Sequence, residues 1–351
     1  MSDPIRQNVP SVSSRRRWLG QSLASLAAFG FGGSAIGSAD EPAGESGGES
    51  HAPKSEGLRY EGETTSRWTI GLKLDTPVTF TGGLATFPVP MDWPEQTVSL
   101  VSRAVDPKVG NIQLRSLPGG AQQVVAVMPR LLANSELEIR FEFEIAKRNI
   151  LPADEEWTRS LVLPERPSRD LKMYLGNSPM IDASHIRVRM LSRELADRPQ
   201  ETAWQTVRQI YDTVRRKVKY REGPIRNASD ALGDGKGDCE DMTSLFVALC
   251  RNARIPARMV WIPGHAYPEF YLQTATEIGV EPEGFWFPCQ VAGSEQFGKM
   301  EEDRPILQKG DRFSVPEHRG PVRYVSEYFR CNRRGNGEPK IEFFREQVPP
   351  S

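Results

Sequence analysis

The chain is 351 residues long, with 45 basic and 46 acidic side chains and a net charge of −1. That balance excludes a surface built to attract nucleic acid. With 38% hydrophobic residues and seven Trp the composition is globular and the length suits two ordinary domains, while 30 Gly and 28 Pro add turns and linker.

The N-terminus reads Ser14-Arg15-Arg16-Arg17-Trp18-Leu19, followed by an uncharged run of small and apolar residues from Gly20 to Ser38 that closes on Gly37-Ser38-Ala39 before Asp40. A run this short and Gly-rich, ending on a small-residue site, predicts a cleaved export signal over residues 1–39 rather than an anchor. The doubled arginine before a bulky aromatic and Leu resembles a twin-arginine signal, whose cargo folds before it crosses the membrane; an ordinary secretory signal is the alternative. Cleavage removes four arginines and one aspartate, so the mature charge moves from −1 to −4. The expected destination is periplasmic or extracellular, with membrane contact only during export. Residues 40–57, rich in Gly, Glu and Ser, bury too little to offset chain entropy and are expected to form a disordered spacer.

From 58 to 150 the pattern has period two. Trp68, Ile70, Leu72 and Leu74 alternate with polar neighbours, and Leu137, Ile139, Phe141, Phe143 and Ile145 alternate with charged ones. Half-buried strands separated by Gly and Pro breakers predict an antiparallel β-sandwich with a charged, solvated outer face. Residues 151–179, with prolines at 152, 164 and 167, read as a linker over the surface.

An α+β domain is expected from 180 to 351. Helical spacing first places Ile186, Met190, Leu191 and Leu195 on one stripe behind a proposed Asp182 cap, then Trp204, Val207, Tyr211, Val214 and Val218 on another. Arg208, Arg215, Arg216, Lys217 and Lys219 fall mostly on the solvated side of that second helix. A third helix starts at Asp238, with Cys239, Met242, Leu245, Phe246 and Leu249 on its buried stripe. Strands are predicted over 257–262, 267–273 and 285–291, with further strands of the same domain at 323–330 and 341–345.

Export permits disulfides, and Cys239, Cys250, Cys289 and Cys331 could form two at most, with no pairing fixed by sequence. Cys239 and Cys250 are excluded as partners: eleven helical residues separate them by roughly 16 Å. The four His (51, 185, 265, 318) are scattered without metal-ligand spacing, so neither a metal nor a cofactor is expected. Gly235 and Gly237 lack the Lys-Ser or Lys-Thr of a phosphate loop and read as turn glycines.

Cys239 carries the chemistry. In the first turn of a helix a thiol meets unpaired amides and the positive end of the dipole, which favour the thiolate, whereas Asp238 and Asp241 oppose it. His265, at the start of the strand after the one that leaves this helix, is the candidate base. The strings Gly237-Asp-Cys-Glu-Asp-Met through Arg254-Ile-Pro-Ala-Arg258, Gly264-His-Ala-Tyr-Pro-Glu269 and Phe285-Trp-Phe-Pro-Cys-Gln290 resemble the core of the bacterial transglutaminase-like superfamily over roughly residues 180–295. The resemblance implies a papain-like fold and a Cys, His, Asp triad that forms a thioester with a peptide or isopeptide amide, resolved by water or an amine. Cys239 matches the nucleophile and His265 the base; at the third position the family's Asp is replaced by Gln290, which can accept from the imidazole but supplies no charge. Glu269 and Glu283 are fallback orienters. Two readings follow: an exported thiol hydrolase or acyltransferase acting on a peptide or protein substrate, or a non-catalytic relative that uses the fold for binding.

Overall fold

The computed structural model describes residues 57–275 and 280–349, so the expected export signal, and the spacer apart from Gly57, lie outside the described residues. The first unit is a β-sandwich. Strands β1 (Tyr60–Thr76), β2 (Thr79–Val89), β3 (Gln96–Val105), β4 (Asn111–Leu117), β5 (Ala121–Leu131) and β6 (Ser135–Ile150) follow one another, all pairing antiparallel. Register explains the alternation read in the sequence: Trp68 lies opposite Phe143, Ile70 opposite Phe141, Leu72 opposite Ile139 and Leu74 opposite Leu137, so both strands present their apolar set to one face. Fully buried side chains such as Leu72 and Phe80 each stabilise by about 1.5–3 kcal/mol. Gly71 is required by close approach, since a Cβ there would run into the Ile139 carbonyl and the Phe344 ring.

The last strands depart from the expected layout. β14 (Tyr328–Arg334) pairs with β2 and β15 (Lys340–Val348) with β1, giving sheet orders β15-β1-β6-β3 and β14-β2-β5-β4. They complete the sandwich instead of extending the α+β sheet. Without them β1 and β2 would be exposed sheet edges, and Ile341 and Phe343 pack against the sandwich core.

The segment expected to be a surface linker is in part core. Helices α1 (Glu155–Ser160) and α2 (Arg169–Lys172) lie in it, and Trp157 and Leu161 are buried in the second unit. In that unit α3 spans Ile186–Ala196, but His185 caps it; Asp182 instead accepts from the Ser229 amide. The inward stripe is Val188 and Leu191. Ile186 and Met190, four residues apart on the opposite side, are 59% and 62% exposed, because the stripe is offset in phase from the predicted one. α4 (Ala203–Lys217) starts on a Thr202/Gln205 capping box and buries Val207, Tyr211 and Val214 as its periodicity requires. Helix α5 (Ala228–Asp234) and α6 (Cys239–Asn252) follow, with β7 (Lys219–Tyr220) and β8 (Lys236–Gly237) forming a short parallel pair between α4 and α6.

Helix α6 packs on an antiparallel sheet of order β12-β11-β10-β9-β13, made of β9 (Ala257–Ile262), β10 (His265–Gln273), β11 (Gly284–Gln290), β12 (Gln296–Phe297) and β13 (Gln308–Lys309). Contacts with α3, α4 and α5 cover its other side, so it is buried all round from Asp241 to Arg251. The fold is thus α+β, a helix-bearing core with a β-rich region before it. Among the described residues no helix is long and apolar enough to cross a membrane.

Residues 300–309 tie the two units together. Met300 and Ile150 exchange backbone hydrogen bonds at 2.9 Å, the Gln96 side chain holds both backbone groups of Ile306, and buried Lys309 bridges Glu95 of the sandwich (2.6 Å) and Glu269 of β10 (2.5 Å).

Candidate active site

Cys239 is fixed by the way α6 begins. Asp238 accepts from the Asp241 amide at 2.9 Å, the capping bond its position predicts. Buried Asp241 in turn accepts from Arg226 through Nε (3.2 Å), Nη2 (3.0 Å) and the backbone amide, while the same guanidinium reaches Asp234 at 2.7 Å and the Lys236 carbonyl. One arginine therefore ties the end of α5, the strand before α6 and its first turn. A Cβ at Gly237 would fall on the Asp241 side chain, so the approach to the thiol is closely packed. One turn on, Thr243 donates to the Ala266 carbonyl at 3.2 Å, docking α6 on the start of β10. The Ala266 amide acts on the Cys239 sulfur from the same place, one residue from His265.

His265 opens β10 and pairs with Ile262 across a two-residue turn, Pro263-Gly264. Gly264 adopts φ 69° in open space, a conformation that favours glycine. The ring nitrogen Nε2 lies 2.8 Å from Oε1 of Gln290, the last residue of β11. The Gln290 amide nitrogen faces the Met300 sulfur at 3.7 Å and its backbone carbonyl accepts from Arg215 at 3.0 Å, so the side chain is set with its oxygen toward the ring. An oxygen that only accepts puts the proton on Nε2 and leaves the lone pair of a neutral imidazole on Nδ1.

Burial and the charges around the thiol work against the thiolate that the helix start favours. Burial pushes the Cys239 thiol up to about 12, with Asp238 and Glu240 adding to it and the Ala266 and Glu240 amides opposing. A helix dipole is worth about 0.3–1 kcal/mol, up to ~2 in the best geometries, and does not offset removal of an anion from water. Burial also leads the downward shift of His265, joined by Arg304, against the Gln290 bond and the carboxylates of Glu302 and Glu240. Both shifts favour the neutral forms, a thiol and an uncharged imidazole. Asp238 is itself raised to about 6 by burial and by Asp241 and Glu240.

Glu269 does not meet the imidazole. Its carboxylate takes Arg258 at 2.7 Å and Lys309 at 2.5 Å, with the Arg258 guanidinium 4.0 Å over the Trp286 ring. Glu283 sits at the far end of the β10–β11 hairpin, where its backbone pairs with Thr274. Residues not singled out by the sequence also shape the site. Arg226 and Arg304 have no periodic signature, and Arg215, assigned to a solvated face, braces Gln290. All four cysteines are free, Cys250 and Cys289 deeply buried, and among the described residues no group of three His, Cys, Asp or Glu could hold a metal ion.

Part of this chain is similar to known proteins. Residues 189–291 match the transglutaminase-like superfamily, a span that holds Cys239, His265 and Gln290, and a domain of that superfamily is present here. No curated protein matches. Among solved structures, a candidate cysteine protease from Cytophaga hutchinsonii is 15% identical with a TM-score of 0.49, over 82% of this chain and 94% of that one. The periplasmic domain of TgpA from Pseudomonas aeruginosa, bound to ethylmercury, is 12% identical with a TM-score of 0.29, over 63% and 89%. A candidate protease from Parabacteroides distasonis is 12% identical with a TM-score of 0.24, over 63% and 47%.

Proposed function

We propose that the transglutaminase-like superfamily domain of this chain is a thiol enzyme, exported through the twin-arginine-type segment at Ser14–Leu19, that hydrolyses or transfers peptide or isopeptide amides through a thioester on Cys239. The observation that carries this reading is the 2.8 Å bond between His265 and Gln290, which holds a basic Nδ1 beside the strand start against which Cys239 is packed. In the first step Cys239 Sγ bonds to the amide carbon while its proton passes to Nδ1 of His265, so no free thiolate has to accumulate. In this reading backbone amides at the start of α6, that of Cys239 included, donate to the oxyanion. The imidazolium then returns its proton to the leaving amine, giving the thioester, and water or a second amine resolves it by the reverse sequence.

Gln290 orients the ring as an amide does in Cys-His-Asn enzymes, but without a negative charge the imidazolium gains less stabilisation than beside a carboxylate. That supports the second reading, a binding protein that kept the fold. Acid-quenched incubation with glutaminyl and isopeptide-linked peptides separates the two. A hydroxylamine-labile adduct on Cys239, absent in Cys239→Ala, supports the enzyme, and its absence across both substrate types supports the binding protein. For export, Arg15→Lys with Arg16→Lys is expected to leave the precursor uncleaved in the cytoplasm; normal processing of that variant would assign it to the ordinary secretory route.

A further inference from the structure

His265 is held on one side by Gln290; the other hold is on its turn. Arg304 donates from Nη1 to the carbonyl of Pro263, two residues before His265, at 3.0 Å. Its Nε and Nη2 grip Glu302 in a fork at 2.8 and 2.7 Å, which fixes the plane of the guanidinium. Glu302 is held from the sandwich by buried Lys147 of β6, which donates to its backbone carbonyl at 3.0 Å. Two residues before Glu302, Met300 touches the Gln290 amide and exchanges backbone bonds with Ile150. The segment 300–304 therefore reaches both the turn of the base and the group that orients it, and it is anchored outside the domain that carries them.

We propose that Arg304 is a positioning residue of this site, clamping the Pro263-Gly264 turn so that His265 faces Cys239, with Glu302 as its charge partner; the proposal rests on reading Cys239 and His265 as the reacting pair. Nothing packs around Gly264, so beyond the His265–Ile262 pairing that closes the turn, the hold on it is the Arg304 bond to the Pro263 carbonyl. The charged groups acting on the imidazole are Glu240 from α6 and Glu302 and Arg304 from this segment, beside neutral Gln290 from β11. Arg304 disfavours the imidazolium and Glu302 favours it. The clamp thus holds the base in position, while its two charges act on the imidazolium in opposite directions.

The test is the pH dependence of Cys239 alkylation by iodoacetamide in the full chain, read peptide by peptide so that the other cysteines do not interfere. Wild type is expected to show an acid limb that disappears in His265→Asn. Arg304→Gln removes a cation and is expected to move that limb up by about half to one pH unit, whereas Glu302→Gln removes an anion and moves it down by a similar amount. Arg304→Lys keeps the charge and loses the fork, so the limb should stay while the plateau rate falls several-fold. General loosening of the fold cannot give shifts of opposite sign in the two Gln variants. Shifts of one sign or no shift, or an Arg304→Lys profile identical to wild type, would overturn the clamp and leave the Cys239–His265 pair standing. A wild-type profile with no limb that depends on His265 would instead remove the pair, and the clamp with it.

Discussion

Gln290 presents its amide oxygen to Nε2 of His265 and turns its amide nitrogen to the Met300 sulfur. Gln290 therefore orients the imidazole without charging it. Gln290→Asp places a carboxylate where the amide oxygen stands, which favours the imidazolium and through it the thiolate. Alkylation of Cys239 at neutral pH should rise about tenfold or more, as expected for a pKa displacement of one unit or above. Gln290→Ala frees the ring and should slow thioester formation by about an order of magnitude. A Gln290→Asp rate profile that overlays wild type would take Gln290 out of the site.

Cysteine labelling separates Cys239 from Cys250 and Cys289 by burial and by base. Burial raises Cys250 and Cys289 well above the ordinary thiol range, and the native protein should protect both completely. Cys239 should label slowly at neutral pH, and His265→Ala should slow amide turnover by about 10²–10⁴-fold, the usual worth of a general base. Native labelling of Cys250 at the rate of Cys239 would contradict the packing of α6.

Protonation also couples to stability. The folded pKa of His265 lies below its unfolded value of about 6.5, so between the two the unfolded chain binds more protons and stability rises with pH. This contribution is fully present above pH ~6.5 and is lost as pH falls through the folded value. Asp238, raised to about 6, acts with the opposite sign between pH ~4 and 6, so the wild-type curve alone is ambiguous. The difference in urea midpoint between wild type and His265→Asn, followed from pH 7.5 to 5, isolates the histidine and should narrow as the pH falls. A constant difference would mean that the half-buried ring titrates as it does in water.

Arg251 and Asp311, neither exposed at all, form a buried ion pair at 2.8 Å, joined by Ser178, the Gly176 carbonyl and the Met259 amide. Asp311→Ala leaves a guanidinium buried and uncompensated and should cost about 3–5 kcal/mol, read as a lower midpoint in urea. Loss of less than ~1 kcal/mol would mean that water reaches the arginine.

Much of this was legible in the sequence because it is local. Period-two alternation located β1 and β6, the strand spans 257–262 and 285–291 lie within a residue of β9 and β11, and Asp238 caps the helix that carries Cys239. What was not legible depends on partners far along the chain. Ile186 and Met190 look buried until the phase of α3 against its neighbours is known, and the strands at 328–334 and 340–348 carry the same alternation whichever sheet they join. Nothing in the spacing of Arg226, Arg304 or Arg215 shows which backbone carbonyl each will find. The burial that raises Cys239 is likewise a property of the assembled domain, whereas the dipole that favours its thiolate is visible in one helix.

The pairing of β15 with β1 sets the order in which the chain can reach its final form. During synthesis β1 emerges early and pairs with β6, but its other edge has no partner until residue 340 has been made, after every element of the thiol domain. The loop that this pairing closes encloses the whole domain, so it forms late and slowly. Until then a 17-residue strand, apolar on its core face, stands open at the sheet margin, a template for another chain. Deleting 340–348 should make that state permanent, giving a protein that self-associates through the sandwich while its thiol domain is already built.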